Sequence, residues 1–177
     1  SVVRLIEGYA DVDDLDAFLD SLSAIGEEHD CLVQAFDARL VASEAHLEHA
    51  LRTARRAIER GEAIARDPAV EVLCYTAGTR QIDVALELGV SRGRSPVVVL
   101  VASRHGDGAA DVTAAETAGA DAVRDLIEPA DLERGTAFGD PERLREYFEI
   151  GDAEIGASDA DLATLVRERV ALLAVER

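Results

Sequence analysis

The segment Pro96–Ala102, with the sequence Pro-Val-Val-Val-Leu-Val-Ala, indicates local structure more strongly than any other part of this chain. A short apolar run that is rich in β-branched residues is typical of a β-strand. Three further segments are apolar and rich in strand-forming residues. We predict these additional strands at Val2–Tyr9, Cys31–Phe36 and Ala122–Ile127.

Helical periodicity describes most of the remaining chain. Leu15, Phe18 and Leu22 recur at the spacing of one helix face. We predict helices at Val12–Ile25, Glu44–Arg66 with Ser43 as its N-cap, Pro68–Tyr75, Gly78 or Thr79 to Leu88, Asp140–Phe148, and Ser158–Val175. The segment His105–Ala120 is compatible with a loop or with a helix over Asp111–Ala118.

The length of 177 residues predicts one domain, spanning residues 1–177. With 48% hydrophobic and 31% charged residues, the composition excludes a disordered chain. No uncharged apolar stretch approaches the length of a membrane span, and no signal peptide is visible. Two cysteines cannot make a disulfide framework, so we expect a cytoplasmic protein with no membrane partner.

The chain is strongly acidic. It holds 36 acidic residues against 18 basic ones, all of them arginine, for a net charge of −18. At low salt this charge repels itself, whereas molar salt screens the repulsion. We interpret the composition as that of a halophilic archaeal protein. An acidic surface for a basic partner is the alternative.

The charge is unevenly distributed. Residues 41–100 carry eight acidic residues and eight arginines, so this part of the chain is neutral while both flanking parts are acidic. Within it, the predicted helix Glu44–Arg66 has two opposite faces. The apolar stripe consists of Leu47, Leu51, Ala54, Ile58, Gly61 and Ala65, and the basic face consists of Arg52, Arg55, Arg56, Arg60 and Arg66, with His49 among them.

The basic face has two interpretations. It is either a solvated face of Arg–Glu pairs or a phosphate- or RNA-binding face, because guanidinium groups bind phosphate oxygens and stack on bases. A second candidate is the turn Thr76–Ile82. Backbone N–H groups at a helix start attract anions, and Arg80 lies in the first turn. The alternative for this turn is a glycine-containing connection between helices.

Several motifs do not support a catalytic or metal site. His46 and His49 have no evident third ligand, so we expect a surface histidine pair and no metal site. The glycines after the Pro96–Ala102 strand lack the third glycine of a dinucleotide-binding fingerprint. Cys31 and Cys74 are set among apolar residues and are expected to be buried. We identify no catalytic set of residues and expect no cofactor.

The central part of the chain resembles a known family. The matching runs are His49–Leu51, Ala57–Arg66, Val70–Ile82, Ala85-Leu86 with Gly89, the strand Val97–Val101 and the ending Arg167–Val175. They look like the small accessory subunit of the KEOPS complex, the PRPK-binding protein family, in its archaeal form. The resemblance is strong over residues 45–103 and looser toward both ends.

The resemblance implies an α+β fold in which a small, mainly antiparallel central sheet is covered by helices. It implies a subunit that is not an enzyme, takes no small-molecule substrate and binds the kinase-like ATPase subunit of KEOPS. Such a subunit also recruits tRNA through its 3′ CCA end, while another subunit makes the threonylcarbamoyl modification beside the anticodon.

From the resemblance and the basic face together, we expect one set of residues to bind RNA and another to bind the partner. The expected RNA contacts are Arg52, Arg55, Arg56, Arg60, Arg80, Gln81 and Ile82. The expected partner contacts are Val166, Leu172 and Leu173. The alternative function is a small nucleotide- or phosphate-binding enzyme domain that uses the Gly78–Arg80 turn.

Overall fold

The computed structural model describes residues 4–104, 110–157 and 161–175. The chain divides into two compact units, the first formed by residues 1–37 and 90–132 and the second by residues 38–89 and 133–177. No helix within the described ranges is long and apolar enough to cross a membrane.

The first unit contains one sheet and two helices. Its elements are β1 (Arg4–Val12), α1 (Leu15–His29), β2 (Cys31–Asp37), β3 (Gly93–Ser103), α5 (Ala110–Leu126) and β4 (Glu128–Pro129). The strand order is β2-β3-β1-β4, and these neighbours pair antiparallel. The long pairing of β1 with β3 places Ile6 opposite Val99.

The helices α1 and α5 pack on one face of this sheet. Alternate strand residues such as Ile6, Val33 and Val99 point into the core between them. The helix α5 approaches closely at Gly119, where an added Cβ would lie 3.2 Å from a methyl carbon of Val101. The expected α+β fold with a mainly antiparallel sheet is confirmed.

The predicted strand Ala122–Ile127 is wrong, because residues 122–126 continue α5 and Ile127 directly follows its end. Its apolar residues are placed by helical spacing. Ala120, Val123 and Ile127 are all buried in the core of the first unit. The alanine-rich sequence of α5 also favours a helix. Residues 105–109, part of the segment that we expected to be a loop or a helix, lie outside the described residues.

The second unit is helical. Its elements are α2 (Glu44–Glu59), α3 (Pro68–Ala77), α4 (Ile82–Ala85), α6 (Pro141–Tyr147), α7 (Asp152–Ala157) and α8 (Leu162–Val175), with 3-10 turns at Ala38–Leu40 and Leu86–Leu88. The helix α2 packs against α3 and α8. The sequence did not predict α7, and the expected N-cap Ser158 lies outside the described residues.

Candidate functional site

The helix α2 begins at the expected cap and ends earlier than expected. The Ser43 hydroxyl accepts a hydrogen bond of 3.2 Å from the backbone N–H of His46. At the other end Gly61 adopts a φ of +70°, and the Glu62 N–H closes the turn on the carbonyl of Ala57. The predicted continuation of this helix to Arg66 is therefore wrong.

A buried carboxylate shapes the loop that replaces the last predicted turns. Glu71 is fully buried and accepts hydrogen bonds from the backbone N–H groups of Ile64, at 2.9 Å, and Ala65, at 2.7 Å. These contacts hold the loop in a non-helical path between α2 and α3. Arg66 is exposed on this loop and is no longer part of the helix face.

The apolar stripe of α2 faces the interior as expected over most of its length. Leu47, Leu51 and Ala54 are at most 1% exposed, but Ile58 is 39% exposed. Ala57 is buried in place of Ile58. Gly61 and Ala65 lie beyond the helix and do not extend the stripe.

The basic face of α2 is divided by its contacts. Arg52, Arg56 and Arg60 are exposed, and their side chains form no ion pair with any residue that the structure describes. Arg55 is half-buried and already interacts with a neighbouring group. A row of three guanidinium groups therefore points to solvent from a chain of net charge −18.

An arginine of α8 adds to this positive charge. Burial lowers the pKa of His49, and Arg52, Arg167 and Arg56 lower it further. No described carboxylate is among the groups that act on His49. The sequence pattern does not point to Arg167 as part of this surface, since the packing of α8 against α2 has no local signal.

The expected surface histidine pair is wrong for His46, which is fully buried. Its Nδ1 accepts a hydrogen bond of 3.1 Å from the Ala42 N–H, so Nε2 carries the proton and donates to the Thr76 carbonyl. Burial lowers the pKa of His46 to about 4. Within the described ranges, no group of three or more His, Cys, Asp or Glu residues could hold a metal ion.

Several backbone amides of the turn after α3 are hydrogen-bonded within the protein. Gly78, at φ +67°, ends α3 rather than starting the next helix. Its N–H bonds to the Tyr75 carbonyl, and the Thr79 N–H bonds to the Cys74 carbonyl. The N–H of Gln81 bonds to the Thr79 hydroxyl. Three of the amides that were expected to hold a phosphate are thus occupied within the protein.

The side chains of the same turn remain accessible. Arg80 and Gln81 are exposed, and Ile82 is 41% exposed. One guanidinium nitrogen of Arg80 donates a hydrogen bond of 3.3 Å to the Leu173 carbonyl, near the end of α8. Ile82 is therefore an apolar surface residue beside an arginine and an amide side chain.

The expected partner contacts on α8 separate into two groups. Leu172 is 48% exposed, whereas Val166 is fully buried and Leu173 is 4% exposed. Val166 and Leu173 stabilise the core of the second unit and are not accessible to a partner. Of the three, Leu172 alone lies on the surface.

The two cysteines are buried, as expected. Burial raises the pKa of the Cys74 thiol to about 11 and also raises that of Cys31. A thiol with a raised pKa is a poor nucleophile at neutral pH because the thiolate is the reactive form. Both residues therefore act as small apolar core residues.

Comparison with known proteins tests the resemblance noted in the sequence. A search of curated proteins found no match. A family model described as kinase binding protein CGI-121 matches residues 9–174, which is nearly the whole chain. The chain therefore belongs to the CGI-121 family of kinase binding proteins.

Proposed function

We propose that this chain is a non-catalytic subunit of the KEOPS complex, which makes threonylcarbamoyladenosine beside the anticodon of tRNA. In this role it binds the kinase-like ATPase subunit and recruits tRNA through the 3′ CCA end. The observation that carries the RNA part is the row of exposed guanidinium groups of Arg52, Arg56 and Arg60, which form no ion pair with any described carboxylate.

The chemistry of the row suits a polyanion. Arg52, Arg56 and Arg60 recur every four residues, which spaces them by about 6 Å along the helix axis. Guanidinium groups bind phosphate oxygens through paired N–H donors. Because an acidic chain repels nucleic acid at long range, a positive row that persists in it favours a specific contact over a general attraction.

The turn after α3 offers side chains for contacts to bases, which phosphate binding alone does not provide. Single-stranded RNA ends are recognised by stacking and by contacts to bases and 2′-hydroxyl groups. Arg80 can stack on a base, Gln81 offers an amide, and Ile82 offers an exposed apolar surface. Such contacts depend less on counterion release and therefore persist better in high salt.

Membership of the CGI-121 family supports the kinase-like partner. Leu172 is the best candidate for this contact, because it is a large exposed apolar residue on α8. The adjacent Leu173 is buried, so the helix presents Leu172 outward while Leu173 anchors it.

The occupied amides of Gly78, Thr79 and Gln81 argue against the alternative, a nucleotide-binding enzyme domain at this turn. A thermal-shift experiment with ATP and with a dinucleotide tests it. A specific increase in Tm with either ligand would favour the alternative over the RNA-recruiting subunit.

The proposed function is tested by tRNA binding. Purified protein is titrated with tRNA that has an intact 3′ CCA end and with the same tRNA lacking that end, across a salt series. Arg56→Glu removes a guanidinium from the row, and Arg124→Glu is the matched control because Arg124 is exposed on α5 and pairs with Asp121.

We expect the intact tRNA to bind more tightly than the trimmed one. Arg56→Glu should abolish this binding, and Arg124→Glu should leave it nearly unchanged. Equal binding of both tRNAs, or equal effects of the two substitutions, would contradict recruitment through the CCA end and the α2 row. A further titration with the kinase-like subunit present shows whether that partner completes the RNA site.

A further inference from the structure

Arg167 of α8 lies near His46 and His49 of α2. Its charge acts on both His46 and His49, which lie in the first half of α2, and α8 packs against α2 within the second unit. At 100° per residue, His49, Arg52 and Arg56 lie within about 60° of helix arc. Arg167, itself exposed, therefore extends the α2 row onto a second helix.

Arg167 forms no ion pair with any residue that the structure describes. Other exposed arginines form ion pairs, as Arg94 does with Glu128 at 2.7 Å and Arg124 does with Asp121 at 2.8 Å. Arg167 instead makes a long hydrogen bond of 3.4 Å to the Thr164 hydroxyl. Asp161, which feels the charge of Arg167, accepts hydrogen bonds from the backbone and side chain of Thr164.

The ring of His49 lies where charges from the two helices meet. Its Nε2 is shielded from solvent and hydrogen-bonds to no described residue. The charged groups that act on this ring come from two helices, Arg52 and Arg56 on α2 and Arg167 on α8. Like charges that act on one ring repel one another, and a bound anion would relieve that repulsion.

We propose that Arg167 of α8 joins Arg52 and Arg56 of α2 in one site, spanning two helices, that binds a phosphodiester group of single-stranded RNA. The inference rests on the proposed function and adds a residue on a second helix to it. The exposed arginines continue along α2 to Arg60, so the row fits a chain of phosphates better than a single phosphate ion. Two guanidinium groups from different helices would grip one phosphate from two directions.

The first test measures binding of a short single-stranded oligoribonucleotide that ends in CCA. The variants are Arg52→Gln, Arg167→Gln and the double variant, with Arg124→Gln as the control for loss of one exposed arginine. Circular dichroism and thermal unfolding confirm that each variant is folded. We expect Arg167→Gln to weaken binding ~10-fold, which is typical of one charge-assisted contact.

The salt dependence and the double variant show whether the two arginines share a phosphate. Losing one contact to a single strand should lower the slope of log K against log salt by about 0.7. If Arg52 and Arg167 hold the same phosphate, the double variant should lose less than the product of the single losses. Unchanged affinity and slope for Arg167→Gln, with normal binding by the unsubstituted protein, would overturn the inference and leave the proposed function standing.

The second test does not depend on tRNA recruitment. The ring proton signals of His49, assigned with His49→Gln, are followed by NMR across pH. Arg167→Gln should raise the pKa of His49 in the protein without ligand, and the oligoribonucleotide should raise it in the unsubstituted protein. If Arg167→Gln leaves the pKa of His49 unchanged, the placement of Arg167 near His49 is wrong.

Inorganic tripolyphosphate distinguishes the two sources of phosphate. If tripolyphosphate shifts the His49 signals and the oligoribonucleotide does not, the site takes a small polyphosphate and the RNA assignment is wrong. If the oligoribonucleotide shifts them while tRNA fails to bind, the two-helix site stands and recruitment of tRNA fails.

Discussion

The imidazole Nε2 of His46 donates a hydrogen bond of 2.8 Å to the carbonyl oxygen of Thr76, which lies 30 residues further along the chain. Both residues are fully buried. The contact joins the first turn of α2 to the end of α3, and the ring also packs edge-on against Phe148 at 5.7 Å between centroids. The neutral imidazole thus ties three parts of the second unit together.

This bond predicts a loss of stability in mild acid. The pKa of His46 is lowered from 6.5 to about 4, so the unfolded chain takes up a proton before the folded protein does. Stability should be complete above pH 6.5 and fall by about 1.4 kcal/mol per pH unit as the pH drops toward 4. Urea unfolding across this pH range measures the slope.

His46→Gln should remove most of this acid sensitivity. We expect a cost of about 1–3 kcal/mol at pH 7, since the buried Thr76 carbonyl loses its well-placed donor. The control is His29→Gln, which changes a histidine in the first unit. An acid slope that survives His46→Gln unchanged would rule out this residue as its source.

Glu71→Gln should destabilise the loop after α2. The two N–H groups bond to different oxygens of the Glu71 carboxylate. Glutamine keeps only one of these oxygens, so either the Ile64 or the Ala65 N–H would face the side-chain NH2 group, which is also a donor. We expect a loss of about 1–3 kcal/mol, measured by urea unfolding. Glu59→Gln, at an exposed position, is the control, and equal effects of the two substitutions would contradict the role of Glu71.

Three glycines of the second unit should respond differently to alanine. Gly61 and Gly78 have φ values of +70° and +67°, so alanine there should cost about 1–2 kcal/mol of backbone strain. Gly151 lacks a positive φ and has open space at the Cβ position, so Gly151→Ala should cost less than alanine at Gly61 or Gly78. Thermal unfolding of the three variants separates these cases. A cost at Gly151 as large as at Gly61 would contradict the strain argument.

Leu172→Ala and Val166→Ala should separate partner binding from stability. Leu172 is exposed, so its truncation should change stability by less than about 0.5 kcal/mol while weakening binding to the kinase-like subunit. Val166 is fully buried, and its truncation should cost about 1–3 kcal/mol through the cavity it leaves. Calorimetry with the partner and urea unfolding measure the two effects. If Leu172→Ala leaves the affinity intact, the partner binds elsewhere.

Stability should rise with salt. A net charge of −18 repels itself at low ionic strength, and raising KCl to 1 M shortens the screening length from about 10 Å to about 3 Å. Tm measured across this series should increase. Replacing the exposed acids Asp20, Glu27 and Glu28 with their amides should stabilise the protein more at low salt than at high salt. Equal stabilisation at low and at high salt would show that charge repulsion is not the cause.

Much of the local structure was predictable from the sequence. The Ser43 cap, the strand around Val97–Val101 and the buried positions Leu47 and Leu51 follow from side-chain type and spacing within a few residues. Local sequence patterns led to wrong predictions where a strand and a helix share the same pattern. The apolar content of Ala122–Ile127 predicts a strand, yet residues 122–126 pack as the last turns of α5.

The end of α2 shows the same limit. The periodic pattern runs on to Arg66, yet Gly61 and the buried Glu71 carboxylate turn the chain away. A carboxylate that binds two backbone amides six and seven residues earlier leaves no mark on the hydrophobic pattern. The role of Gly78 stayed open between two alternatives for a similar reason, since a glycine can end one helix or begin the next.

The sequence by itself determined the α+β elements, the family and the basic face of α2, because each depends on residue types at short spacing. Only the tertiary structure decided that Arg55 interacts with a neighbouring group and that Ile82 is exposed. It also decided that Val166 and Leu173 are buried. It also brought Arg167 to the side of His49, although 118 positions separate them in the chain. Burial and charge proximity arise when distant segments pack, and no local pattern specifies which segments meet.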